Sequence, residues 1–236
     1  MTSHYNNTRS EAIKEFKMDV FRAKDFADLI TFRHHEGQLA VLGRQPLNGG
    51  DEFFQKLAGI PLNVIGMVSK TTGIEDILSL LEDEITEDLK STPFYIEWVK
   101  DLADVCNVFC DILESRNIGF CLATQRACQR YHVDNVPLRL LVTYHGQGTE
   151  WIPYSAVDRM AYESGMPNEK ILLNREEREF LNAWDVAIFR GGKNGLLHRT
   201  PDTALEYPSI LLRLDHETFW NNVFKNSEST TDQESV

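Results

Sequence analysis

Apolar positions in the first part of the chain predict short strands and short helices. They alternate or cluster as in strands over residues 26–32 and 38–42, with a glycine-containing turn between the two runs. Asp51 is placed to cap a helix that reaches Leu57, and spaced apolar residues favour a short helix within residues 1–25. These elements are small, so we expect them to support a core that is formed elsewhere.

Two longer helices are predicted in the middle of the chain. Apolar residues recur at helical spacing from Gly73 to Lys90 while the outward positions are acidic, which is typical of a solvated helix face. Thr92-Pro93 has the pattern of an N-cap followed by proline at the first helical position, and the apolar stripe after it predicts a helix that ends near Asn117. Residues 1–118 are therefore predicted to form a supporting region of helices and short strands.

The pattern changes after Gly119 to short strand-like segments separated by Gly, Pro and Asn. Such spacing predicts a sandwich or barrel over residues 119–225, joined to the first region in one compact unit. The polar stretch 153–183, with a weak helix over 175–183, is expected to cover one face, and residues 226–236 are expected to be a disordered tail. The predicted strands are 120–123, 127–133, 138–144, 150–152, 186–190, 196–198 and 210–214.

Composition narrows the classes of partner. The formal net charge of −12 would repel a nucleic-acid backbone or an anionic membrane, so neither is expected as a partner. No apolar run approaches the roughly 20 residues needed to cross a bilayer, and no secretion signal is recognisable, so a cytoplasmic location is expected. Four cysteines without a Cys-x-x-Cys pair predict neither a disulfide scaffold nor a zinc knuckle.

One constellation has the chemistry of a metal site. In a strand, His132 and Asp134 would share one face with Cα atoms about 6.6 Å apart, so both side chains can reach one ion. His198, before a turn at Pro201, is the candidate third ligand. Two imidazoles and one carboxylate leave coordination positions open, as in non-haem Fe(II) oxygenases. The alternative is that both histidines are hydrogen-bonded core residues.

Neighbouring residues extend this hypothesis. Cys128 would lie about 13 Å from His132 along a regular strand, too far to share an ion, so we expect it to pack nearby. Arg126, Arg130 and Arg139 surround the pair in a chain that is otherwise acidic, and guanidinium groups bind carboxylates in a bidentate manner. An anionic substrate or co-substrate is one explanation for them, and ion pairs with other parts of the protein are the other. No nucleotide-binding loop and no nucleophile elbow is recognisable.

Three segments carry a resemblance to a known family: residues 127–153 (Ala-Cys-Gln-Arg-Tyr-His-Val-Asp at their start), Leu197-His-Arg-Thr-Pro201 and Leu211-Leu-Arg-Leu-Asp215. With them, about half of the chain resembles the bacterial family called domain of unknown function 1826. The resemblance by itself implies no settled activity.

The order of the motifs also resembles the double-stranded β-helix of Fe(II)/2-oxoglutarate oxygenases. This resemblance implies an α+β protein in which a jelly-roll, cupin-like core over residues 119–225 packs against the N-terminal helices and short strands. It implies Fe(II) as the metal and 2-oxoglutarate as co-substrate. Those enzymes usually carry an Arg or Lys some ten residues after the distal histidine, where this chain has Tyr207, Pro208 and Ser209. Substitutes for that residue, and further candidates for co-substrate or substrate binding, are Arg139, Arg213, Arg130 and Tyr144.

Three functions are compatible with the sequence. The leading hypothesis is a mononuclear non-haem Fe(II) oxygenase, possibly dependent on 2-oxoglutarate, that acts on a small or anionic molecule. The alternative is a non-catalytic zinc-binding or zinc-homeostasis protein that uses the same His132, Asp134 and His198. A third is an interaction module whose acidic helix over residues 74–89 docks a basic partner. The sequence predicts no oligomeric state.

Overall fold

The computed structural model describes residues 20–193 and 195–219. Mixed helices and strands make up this part of the chain, and the strands form one seven-stranded and one three-stranded sheet. The α+β class expected from the sequence is therefore confirmed. The strands are β1 Val20–Ala23, β2 Leu39–Leu42, β3 Asn63–Ser69, β4 Asn117–Ala123, β5 Leu138–His145, β6 Glu150–Trp151, β7 Glu179–Phe180, β8 Val186–Arg190, β9 His198–Arg199 and β10 Ile210–His216.

The helices lie between these strands. Single turns of 3-10 helix occur at residues 31–34, 154–156 and 175–177. In the described part of the chain, no helix is both long and apolar enough to cross a bilayer. The α-helices are α1 Phe26–Ile30, α2 Gly50–Ala58, α3 Gly73–Leu81, α4 Glu87–Lys90, α5 Pro93–Leu113, α6 Arg159–Glu163, α7 Asn168–Ile171 and α8 Asp202–Glu206.

Strand order in the large sheet is β1-β2-β8-β5-β10-β4-β3. All neighbours in it are antiparallel except β1 and β2. The small sheet is antiparallel, in the order β7-β6-β9. Strands that are distant in sequence are thus neighbours, and β5 and β10 lie at the centre of the large sheet.

The two faces of the large sheet bury different partners. One face packs against the helices in the main core, where Leu140, Val142 and Leu212 meet the apolar stripe of α5. The other face presents Leu39, Val41 and Phe189 to Trp151 and Leu196 in a smaller core near the small sheet. Because side chains alternate along a strand, β5 and β10 contribute to both faces. Arg139 of β5 and Arg213 and Asp215 of β10 lie on the second face.

Several predicted elements are confirmed, and two of the predicted strands are wrong. The strands predicted over 38–42, 138–144, 186–190 and 210–214 are present, and the long helix begins at Pro93 as predicted. Residues 26–32 are helical rather than extended, because the Asp25 side chain accepts a hydrogen bond from the backbone N–H of Asp28 (2.8 Å) and caps α1. Residues 127–133 form no strand; the backbone of Tyr131 instead binds the Asn168 side chain (3.1 Å).

Other predicted boundaries shift. The helix expected over 73–90 is interrupted, since Thr86 is extended and a separate short helix, α4, follows it. The long helix ends at Leu113 because Glu114 adopts a left-handed conformation (φ 52°), and the following strand begins at Asn117. Residues 175–183 hold a 3-10 turn and β7 rather than one helix. Of the helix expected within residues 1–25, only residues 20–25 are described, and 20–23 are a strand. The tail 226–236 lies outside the described residues.

Candidate metal centre

His132 and His198 are paired across two chain segments that run antiparallel. The N–H of His132 donates to the His198 carbonyl (3.1 Å), and the N–H of His198 donates to the His132 carbonyl (3.0 Å). Residues directly opposite one another in such a pair project to the same face. The two imidazole rings therefore lie together, with their centroids 4.5 Å apart.

Asp134 is held beside the two histidines by its backbone. Its carbonyl accepts a hydrogen bond from the N–H of Gly192 (2.9 Å), and the N–H of Gly191 donates to the Pro137 carbonyl (3.1 Å). A Cβ atom at residue 191 would overlap the carbonyl oxygens of Asp134 and Val136. Only glycine allows this close approach, so Gly191 fixes the position of the Asp134 segment.

The three side chains converge as one group. One potential ligand atom from each of His132, Asp134 and His198 lies within 4.8 Å of the others, and this is the only such His/Cys/Asp/Glu group among residues 20–193 and 195–219. His198 Nε2 lies 3.4 Å from Asp134 Oδ2. Ligands that each lie about 2.0–2.2 Å from one ion have this spacing.

Both imidazoles turn the same nitrogen toward this common point. Nδ1 of His132 lies 3.0 Å from the Arg130 carbonyl, and Nδ1 of His198 lies 3.0 Å from the Leu196 carbonyl. A carbonyl oxygen only accepts, so each Nδ1 carries a proton, and Nε2 is the nitrogen left to bind a metal. A backbone carbonyl behind a histidine is the usual arrangement that orients a metal ligand.

The two oxygens of the Asp134 carboxylate have different surroundings. Oδ1 accepts from Nη1 of Arg139, whose Nε in turn donates to Asp215 Oδ1 (2.7 Å). Oδ2 is buried and has no hydrogen-bond partner in the described part of the chain. Unpaired acceptors of this kind are costly in a protein interior. The donor set and the orphaned oxygen both fit a divalent cation.

The charge state of His198 suits a ligand. Burial lowers the pKa of His198 to about 4, although the neighbouring carboxylate of Asp134 acts to raise it. The imidazole is therefore neutral near pH 7, and its Nε2 lone pair faces the lone pairs of Asp134 Oδ2. Two acceptors facing one another repel unless a cation lies between them, which gives the same conclusion as the orphaned oxygen.

The candidate residues for an anionic ligand have different positions. Arg139 lies beside the centre, and Nε of Arg213 lies 2.9 Å from Asp215 Oδ2. Phe219 lies over both guanidinium groups, with its ring centroid 5.4 Å from Arg139 Cζ and 5.5 Å from Arg213 Cζ. The side chain of Arg130 is exposed, and its carbonyl is the group that binds the His132 ring.

The position of Tyr144 differs from the prediction. It belongs to the main core on the helix face of the large sheet, where its hydroxyl donates to Asp101 Oδ2 (2.7 Å). The centre lies on the opposite face, so the expected role of Tyr144 in binding a co-substrate is wrong. Cys128 is exposed and does not belong to the cluster, although its carbonyl binds the N–H of Thr200 (2.9 Å).

Sequence reasoning missed three residues that shape the centre: Gly191, Asp215 and Glu150. Asp215 is fully buried and forms ion pairs with Arg139 and Arg213. Its signal was available in the sequence, because Arg213 and Asp215 are charged residues at alternate positions of an otherwise apolar strand. Glu150, also buried, pairs with Arg199 next to His198.

Comparison with known proteins gives a family and several distant structural neighbours. The family described as "Protein of unknown function (DUF1826)" matches residues 23–215. No curated protein matches the chain.

Three solved structures illustrate the neighbours. A bsmA homologue from Methylobium petroleophilum PM1 is 10% identical, with 86% of this chain and 97% of that chain covered and a TM-score of 0.45. The Fe(II)/α-ketoglutarate-dependent dioxygenase TqaL is 9% identical, with 89% of each chain covered and a TM-score of 0.43. A Pseudomonas putida prolyl-4-hydroxylase is 10% identical, with 81% and 98% covered and a TM-score of 0.35. These likenesses are too distant to transfer an activity.

Proposed function

We propose that this chain, which belongs to the DUF1826 family of proteins of unknown function, is a mononuclear non-haem Fe(II) oxygenase with His132, Asp134 and His198 as its metal ligands. The observation that carries the proposal is the buried, unpaired Oδ2 of Asp134. It faces the Nε2 atom of a neutral histidine, and a second histidine projects to the same point. We interpret the large and small sheets as the major and minor sheets of a double-stranded β-helix, with the centre between them.

The residues around the ligands have definable tasks. Arg139 holds Oδ1 of Asp134, so that Oδ2 is left to face the histidines. The Arg130 and Leu196 carbonyls keep the Nδ1 protons in place. Phe189 packs on the His198 ring, with centroids 4.4 Å apart, and helps exclude water from it. Bound Fe(II) would supply a redox-active centre with coordination positions open to dioxygen and to a co-substrate.

Charge balance supports a dianionic co-substrate such as 2-oxoglutarate. Asp134 and Asp215 offset Arg139 and Arg213 within the network, so a divalent metal would leave two positive charges. A dicarboxylate would neutralise both. We assign its distal carboxylate to Arg213, because Arg139 is already committed to two aspartates through Nη1 and Nε. The oxidised substrate would be a small or anionic molecule.

Anaerobic titration tests this function directly. Protein loaded with Fe(II) should develop a charge-transfer absorption band when 2-oxoglutarate is added, and admission of O₂ should yield succinate. Asp134→Asn is the control that should give neither signal. A folded wild-type protein that binds Fe(II) but shows no band and no succinate would eliminate 2-oxoglutarate dependence. Failure to bind Fe(II) at all would eliminate the oxygenase.

A second candidate function uses the same three ligands for Zn²⁺. Two histidines and one carboxylate suit zinc as well as iron, and a water molecule or a further protein ligand would complete a tetrahedron. The metal content of protein purified without added metal distinguishes the two functions. Stoichiometric zinc that chelators remove only with unfolding favours the zinc-binding role. Zinc that exchanges readily for Fe(II), with activity gained, favours the oxygenase.

A further inference from the structure

We infer that Glu150 is a positioning residue, which clamps the two histidine-bearing segments together from the face opposite the metal centre. This inference rests on the proposed metal site at His132, Asp134 and His198. It concerns how the protein holds the two histidines in coordinating geometry before any metal arrives.

The backbone pairing of the two segments is unusually short. His132 belongs to no strand and meets His198 in an isolated bridge, and β9 contains only His198 and Arg199. Two backbone hydrogen bonds join the histidines directly, and a third runs from the N–H of Thr200 to the Cys128 carbonyl (2.9 Å). A ladder of this length gives little resistance to fraying, so additional contacts are needed to keep the ring nitrogens within 4.8 Å of each other and of Asp134.

The residues adjacent to the histidines supply such contacts. Side chains alternate along an extended backbone, so Arg199 projects away from the face that His198 occupies. Glu150 lies opposite Arg199 in the β6–β9 pairing, whereas Trp151 lies opposite His198. Tyr131, which precedes His132, also reaches Glu150. One residue next to each histidine thus contacts the same carboxylate.

The contacts at this carboxylate are close and buried. Glu150 Oε2 lies 2.9 Å from Nη2 of Arg199, and the Tyr131 hydroxyl donates to Oε1. The Arg199 guanidinium lies over the Tyr131 ring, with Cζ 5.2 Å from the centroid. Glu150 is 1% exposed. A carboxylate this deeply buried is stable only while its partners stay in place, so it opposes separation of the two segments.

The chain contains a matched control for this arrangement. Asp101, on the helix face of the large sheet, binds Arg44 and accepts a hydrogen bond from Tyr144 (2.7 Å). It therefore offers similar chemistry, one carboxylate with an arginine and a tyrosine, on the face away from the metal centre; Glu150 has in addition Nη1 of Arg178 at 3.9 Å. A purely structural role for Glu150 predicts that loss of either carboxylate has the same consequences.

The experiment compares Glu150→Gln with Asp101→Asn in the full chain. Co²⁺ affinity is measured by chelator competition, the visible absorption of bound Co²⁺ reports ligand geometry, and thermal unfolding of the metal-free proteins reports stability. Groups behind metal ligands typically contribute 10–100-fold to metal affinity. We expect Glu150→Gln to weaken Co²⁺ binding by about 10–100-fold and to alter the spectrum, and Asp101→Asn to lower the unfolding temperature while binding Co²⁺ within about twofold of wild type.

The outcomes separate this inference from the proposed function. Wild-type affinity and spectrum in Glu150→Gln would overturn the positioning role, as would equal weakening in Asp101→Asn. A wild-type protein that binds no Co²⁺, Fe²⁺ or Zn²⁺ would overturn the metal site itself. If Glu150→Gln fails to fold, Tyr131→Phe removes one arm of the clamp and should weaken Co²⁺ binding by about tenfold, at the lower end of the same range. Unchanged binding there would also overturn the inference.

Discussion

Asp101 and Asp134 are both largely buried carboxylates that bind an arginine, and they lie on opposite sides of the large sheet. Oδ1 of Asp101 accepts from Arg44 (2.6 Å), and Oδ2 accepts from Tyr144 (2.7 Å) and from Arg44 (3.3 Å). In Asp134 the arginine satisfies Oδ1 alone, and Oδ2 has no partner among the described residues. A buried ion pair is thus insufficient to mark a functional site. The two carboxylates differ in the unsatisfied acceptor of Asp134, which we propose marks the metal site because it faces His198 Nε2.

Asp134→Asn should show the largest difference in metal affinity between the two carboxylate sites. The amide oxygen can still accept from Arg139, and the amide N–H₂ can donate to Nε2 of His198, which lies 3.4 Å from Oδ2 in the wild type. We expect metal affinity to fall by more than about 100-fold, beyond the usual effect of groups behind the ligands. We expect the unfolding temperature of the metal-free protein to stay the same or rise. Isothermal titration with Zn²⁺ and calorimetric unfolding measure both, and wild-type affinity would contradict the assignment.

Asp101→Ala should give the reverse profile. Its removal leaves Arg44, which also donates to the Trp184 carbonyl, without its carboxylate in the aromatic core. Breaking a buried pair in this way costs about 3 kcal/mol of unfolding free energy. Chemical denaturation should show that loss, and Zn²⁺ affinity should remain within about twofold of wild type. Weakened metal binding here would show that the two faces of the sheet are coupled.

Arg139→Met tests the group that orients Asp134. Without the guanidinium, the carboxylates of Asp134 and Asp215 lose their shared partner, and Asp134 can rotate away from the histidines. Metal affinity should fall by about 10–100-fold. Arg139→Lys keeps the charge but not the two-sided geometry, so it should recover part of the affinity. Equal affinity of both variants and the wild type would remove Arg139 from the site.

Gly191→Ala tests how tightly the backbone holds Asp134. The added Cβ would overlap the Asp134 and Val136 carbonyls, so the segment must move. We expect about tenfold weaker metal binding, the lower end of the range for supporting groups. Gly43→Ala is the matched control, because its nearest contact would be an ordinary 3.7 Å from Asp185 Oδ1. If the two glycine variants behave alike, close approach at residue 191 has no special role.

The smallest expected effect is a pH dependence of the metal-free protein. Burial lowers the pKa of His198 from 6.5 to about 4, so the unfolded chain binds a proton at this residue at a higher pH than the folded chain does. Stability contributed by neutral His198 is therefore complete above about pH 6.5 and is lost as the pH falls toward 4. Unfolding curves across this window should show less acid sensitivity in His198→Gln than in the wild type. An identical acid dependence would contradict the depressed pKa.

The sequence predicted the elements whose patterns are long and unambiguous. The stripe after Pro93 continues for several turns, and the strand over 138–144 is bounded by turn residues, so both were found. Residues 26–32 are a short apolar run, which fits either a strand or a helix, and the cap at Asp25 decided for a helix. The His132, Asp134 and His198 cluster was predicted from residue type and order alone.

The other parts of the site depended on contacts that sequence spacing does not reveal. Pairing of Asp215 with Arg139 depends on the β5–β10 register, and the fit of Gly191 depends on the path of the segment beside it. The assignment of Tyr144 to the site could be excluded from the sequence, because side chains alternate between the two faces of a strand. Arg139 and Tyr144 are five residues apart in one strand, so they project to opposite faces and could not serve the same ligand.

The same alternation makes the register of β5 against its neighbouring strands important for correct folding. A slip of one residue against β8 or β10 would turn Arg139 into the main core, place Leu138 or Leu140 opposite Asp215 and turn Tyr144 away from Asp101. Arg139 and Asp215 would then be buried without each other, so a misaligned folding intermediate is destabilised. The side chains of β5 therefore favour its correct register, independently of any metal.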